Sequence, residues 1–173
     1  MTSKESLSFS QAIQATQSLI EKMNSQQLQE TDIEQEISNI VNTKNGGRGF
    51  FVAYLTSELS LPDNPSKGII NGLKSSVDVV SELLVKNLAM SSAMTVTHSR
   101  NKDISNVRGS QKVCRRTTNL IQKIELDSIK QELEKLRNTI INKDGEYNDF
   151  LERWEYDVEQ KKAIQEAITN ILI

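Results

Sequence analysis

The chain has 173 residues, of which 25% are charged and 36% hydrophobic, with only two prolines and seven glycines. That composition suits one soluble, helix-rich domain with a sizeable core and excludes a disordered chain. A net charge of −2 excludes bulk attraction to nucleic acid or acidic membrane, and the single cysteine, Cys114, excludes an intramolecular disulfide and a zinc or iron–sulfur cysteine cluster.

The opening MTSKESLSFSQAIQ lacks an apolar core of signal-peptide length, and residues 1–7 read as a flexible tail on a single domain spanning 1–173. Phe9, Ile13, Thr16, Leu19, Ile20 and Met23 recur at helical spacing, with Ser8 or Ser10 as the N-cap. Thr31 with Glu34 forms a capping-box pattern ahead of a second helix whose buried stripe is Ile33, Ile37, Ile40 and Val41. Asn45-Gly46-Gly47 reads as the stop of that helix. Residues 49–61 (GFFVAYLTSELSL) have strand propensity, yet no second strand is visible to pair with them, so they read as a short buried helix. Pro62-Asp63-Asn64-Pro65 is a turn that opens a weak helix carrying Gly68 and Gly72.

Residues 77–98 (VDVVSELLVKNLAMSSAMTVTH) are apolar over most of a helical circumference, at Val80, Leu83, Leu84, Leu88, Met90, Ala93, Met94 and Val96. Such a helix must be covered on several sides and belongs in the middle of a bundle. Asp78, Glu82 and Lys86 interrupt it, which argues against a membrane span. Residues 98–109 (HSRNKDISNVRG) read as a polar loop or a frayed helix end. Val113, Thr117, Leu120, Ile121 and Ile124 mark the next helix, and Asp127 caps another with the face Ile129, Leu133, Leu136, Ile140 and Ile141. Tyr147, Phe150, Leu151 and Trp154 form a short aromatic-faced helix. Asp157 with Gln160 then caps a last one running through Val158, Ile164, Ile168 and Leu172. The expected fold is therefore all-α: a single-domain bundle of about seven helices around a buried central helix, 77–98.

The strings GRGFFVAYLT, NPSKGIINGL and SELLVKNLAMSSAM, followed by His98 and Arg100, resemble an uncharacterised family of small cyanobacterial proteins, with the similarity extending from Phe9 to Trp154. The resemblance implies a bacterial cytoplasmic setting in a photosynthetic cell and lends no activity.

The charge is unevenly spread. Residues 98–123 carry seven cations (Arg100, Lys102, Arg108, Lys112, Arg115, Arg116, Lys123) against one acid, Asp103, whereas 124–173 carry seven bases against twelve acids. A cationic helix face suits an anion or an acidic partner, although such a run also serves to lie against the acidic carboxy-terminal helices or simply to face water. It lacks the interleaved aromatics that single-stranded nucleic acid requires. The Asn45–Gly49 run lacks the Gly-Lys-Ser/Thr ending of a phosphate loop. His98 is the only histidine, so a catalytic pair with Cys114 has no second option, and no Glu-x-x-His spacing supports a metal. Tyr147, Phe150 and Trp154 read as core, although an exposed Trp154 would make a strong partner anchor.

These residues point to a cytoplasmic, non-enzymatic helical interaction protein, an adaptor or regulator, with no cofactor, metal or catalytic set. Its surface Arg100, Arg108, Lys112, Arg115 and Arg116 would bind an acidic partner protein. The alternative is a small-ligand or anion-binding protein with an inter-helix pocket carrying Arg48, His98 and Arg100. Self-association through surplus apolar surface on the last helix is a further expectation.

Overall fold

The structure, a computed structural model, describes residues 6–173. The first five residues of the expected tail lie outside these. Among the described residues there are nine α-helices, one 3-10 turn and no strand, so the fold is all-α. They match the helical segments expected one by one along the chain, the short Lys67–Lys74 and Asn148–Arg153 included, and exceed only the rounded figure of about seven. By internal contacts the chain divides into two compact units, Met1–Leu83 and Leu84–Ile173, and the division falls inside one long helix.

In the first unit, α1 (Phe9–Asn24) opens on a capping box: Ser8 Oγ accepts from the Gln11 amide at 3.1 Å, and Gln11 Oε1 accepts from the Ser8 amide at 2.9 Å. The next helix, α2 (Glu30–Val41), starts before the expected Thr31–Glu34 box. Gln29 takes the cap position instead, and its amide donates to Asp32. Asn45-Gly46-Gly47 does not stop α2. Asn42 ends it, Thr43 caps the next helix by accepting from the Gly46 amide, and the glycines lie in the first turns of α3 (Lys44–Thr56).

The glycines are there for proximity. A Cβ added at Gly49 would lie 2.6 Å from both Ala12 Cβ and the Phe9 carbonyl oxygen on α1. One added at Gly72, on α4 (Lys67–Lys74), would lie 2.7 Å from Ile37 Cβ on α2. Both helix pairs thus pack nearly backbone to backbone, closer than any larger residue permits. Glu30 adds a polar tie between α2 and α4 by accepting from the Gly68 amide at 2.6 Å. Of the segment 49–61, with its strand propensity, residues through Thr56 form the largely buried body of α3, and 57–61 lie beyond its end. Phe50 stacks on Tyr54 with centroids 5.2 Å apart and meets Phe51 edge-on, all three being buried. Each buried phenylalanine contributes roughly 1.5–3 kcal/mol.

The dividing helix, α5 (Val77–Arg100), contributes Val80 and Leu83 to the first core and Leu84, Val85, Leu88, Ala89 and Ala93 to the second unit. It alone among the described helices has the length and composition to cross a membrane, but more than half of its most apolar window is buried inside the protein, as a core helix would be. Two methionines depart from the expected core: Met94 is 37% exposed and Met90 half-buried.

Residues 98–109 are not a loop. α5 continues to Arg100, and α6 (Ile104–Ile124) begins after three residues, because Lys102 adopts a left-handed φ of 54° and Asp103 caps α6 through the Asn106 amide. The unit continues with α7 (Asp127–Asn142), α8 (Asn148–Arg153) and α9 (Val158–Leu172), and α7 packs on α9. Its core joins Leu120 and Ile124 to Leu133, Leu136, Ile164 and Ile168. Hydroxyls buried on these helices return their hydrogen bonds to the preceding turn, as Ser92 does to the Leu88 carbonyl at 2.7 Å and Thr117 to that of Val113.

Candidate interaction surface

The inner stripe of α6 is Thr117, Leu120, Ile121 and Ile124, all buried. A helix that buries such a stripe must turn its opposite face outward, and there Arg108, Lys112 and Arg115 fall at i, i+4 and i+7. Arg108 and Arg115 are exposed and Lys112 is half-buried. Along its 21 residues α6 has five cations and no carboxylate. The two long guanidinium side chains therefore stand in water on a face with no acid of its own helix to answer them.

The other residues expected on this surface are placed differently. Arg116 is only 3% exposed, because its position lies toward the buried stripe, so it belongs to the interior of the unit and not to a docking face. Arg100 is committed within the chain. Its Nη1 and Nη2 donate to the two oxygens of Asp157, at 2.6 and 3.2 Å, and its Nε and Nη2 donate to Glu159. This fork ties the end of α5 to the start of α9. Asp157 meanwhile caps α9 by accepting from the Gln160 amide at 2.9 Å, and Gln160 reaches back to Thr97 on α5 at 2.8 Å. The Arg100 guanidinium, with help from the Gln160 amide, holds the Asp157 carboxyl down to about 2, and the two carboxylates push the Arg100 guanidinium above its usual range. The capping pattern was legible in the sequence, but its arginine partner fifty-seven residues away was not.

Arg48 and His98, the expected pocket residues, belong to different units. Arg48 is exposed on α3 with its guanidinium 5.2 Å from the centroid of the Phe9 ring, and His98 is half-buried near the end of α5. A groove of about 520 Å³ in the first unit, between α1 and the end of α3, contains neither; Gln17, Glu21, Thr56 and Glu58 are among the residues that line it. Cys114 is half-buried with its sulfur 3.7 Å from Ser92 Oγ. Among the described residues no three His, Cys, Asp or Glu side chains are grouped so as to hold a metal.

The aromatic segment divides. Tyr147 and Leu151 are buried, and the Tyr147 hydroxyl donates to Glu132 at 2.6 Å. Phe150 meets Tyr147 and Tyr156 edge-on and receives Lys86 over its face. Burial pushes the Tyr156 hydroxyl up to about 12. Trp154 is not core. α8 ends at Arg153, the stripe loses its helical register, and the indole is 48% exposed.

Such an arrangement can recognise charge and shape. The family model for an uncharacterised conserved protein, UCP020893, matches residues 8–171, and the chain belongs to that family. No curated protein and no solved structure matches it.

Proposed function

We propose that this protein is a non-enzymatic helical adaptor or regulator of the bacterial, cyanobacterial cytoplasm, which binds an acidic partner protein through the outer face of α6. One observation carries the reading: a 21-residue helix with five cations and no acid, whose Arg108, Lys112 and Arg115 share its solvent side. Long-range attraction from such a face speeds and orients the encounter more than it sets final affinity. The binding residues are Arg108, Lys112 and Arg115; Arg100 and Arg116 shape the unit from within it. The α1–α3 groove carries Glu21 and Glu58, which lends no support to an anion pocket built on Arg48 and His98.

The test reverses Arg108 and Arg115 to Glu and compares capture of partners from native-cell extract with that by the unaltered chain. The buried Arg116 is left alone so that folding is not perturbed. Partner capture should fall at least about tenfold, since each factor of ten needs only about 1.4 kcal/mol. The thermal midpoint should hold. Equal capture by both proteins would remove α6 from the account.

A further inference from the structure

The segment from residue 144 to 159 is the counterpart of α6 in charge. It carries seven carboxylates and one cation, Arg153. In its midst stand two exposed apolar side chains, Trp154 and the 85% exposed Val158, and Asp149, Glu152 and Glu155, near them in sequence, are exposed as well. The segment already shows what it recognises. Within the chain its Asp157 and Glu159 hold the Arg100 guanidinium through four hydrogen bonds, and its Phe150 ring takes the Lys86 ammonium over its face. A tryptophan ring and neighbouring carboxylates both suit a guanidinium, the one through its ring quadrupole and the others through charge-assisted hydrogen bonds.

We infer that the acidic surface fitted to α6 is this one, on a second copy of the chain: Arg108 and Arg115 of one copy dock against Trp154, Glu152 and Glu155 of the other. The inference rests on the reading of α6 as a docking face and supplies its partner. Two copies related by a two-fold axis make the contact twice, since each offers one basic and one acidic face. The net charge of −2 leaves little overall repulsion between copies.

Sedimentation of the purified full chain tests it. At low ionic strength the unaltered protein should sediment as a dimer that dissociates as salt is added. The variant R108E/R115E should be monomeric, because both contacts become acid against acid, and E152K/E155K should be monomeric for the opposite reason. An equimolar mixture of the two variants should regain the dimer, since both of its contacts are again complementary. Unchanged thermal unfolding of each variant excludes misfolding as the cause. Should the unaltered chain stay monomeric at every concentration, self-pairing is overturned, while partner capture in extract still decides the role of α6. A mixture that stays monomeric, or a dimer that survives both reversals, overturns the pairing of these two faces.

Discussion

Glycines inside helices have different surroundings in the two units. In the first, Gly49 and Gly72 are where helix backbones meet, and no side chain fits between them. In the second, Gly109 sits within α6 with nothing inside 4 Å of the place a Cβ would take. The first unit is held by close approach around the Phe50–Tyr54 stack. The second is held by longer helices tied through side chains, among them the Arg100 fork and the Tyr147–Glu132 bond, and it carries the uneven charge on its surface. A residue type therefore has no fixed meaning along this chain; what its neighbours leave room for decides.

The contrast can be broken most forcefully at Gly49. Gly49→Val must push α1 away from α3 and should cost about 1–3 kcal/mol, read as a lowered urea midpoint at constant slope. An unaffected midpoint would mean that the two helices are not in backbone contact. Gly109→Ala should act in the opposite sense and stabilise by about 0.5–1 kcal/mol, because a helix interior favours alanine and the added methyl meets nothing. The smallest effect belongs to the Arg100 fork, whose partners are exposed and screened by water. Since Asp157 is held down to about 2, its contribution is full above the ordinary carboxylate range near 4 and is lost as pH falls toward 2. In Arg100→Met the Asp157 carboxyl should titrate closer to its ordinary value, which carbon-detected NMR reads directly. An unmoved titration would show that the guanidinium is not what holds it.

Much of this architecture was legible in the amino-acid order. The periodic stripes of α1, α2, α7 and α9 place Leu19, Ile37, Leu133 and Ile164 in the core where they are found, and the Asp157–Gln160 cap is where its pattern put it. What misled has physical causes. Gly46 and Gly47 carry the same signal whether a helix ends or two helices touch, so here the start of a helix has the look of a stop. The turn at 101–103 holds neither glycine nor proline, and a lysine takes the left-handed position there, so nothing in the residue types marks the start of α6, whose first six residues look like loop. Among the cations of α5 and α6, a count does not separate exposed Arg108 and Arg115 from buried Arg116 or from Arg100, whose partners lie far along the chain. Trp154 continued a helical spacing that the chain itself abandons one residue earlier.

In the proposed function, position on α6, and not charge in general, determines binding. Affinity purification from the native cell tests it when R108E/R115E is set beside Lys22→Glu with Lys67→Glu, an equal change of charge at exposed sites on α1 and α4. The account predicts that partners are lost only from the α6 variant, whereas equal loss from both, or from neither, would contradict it.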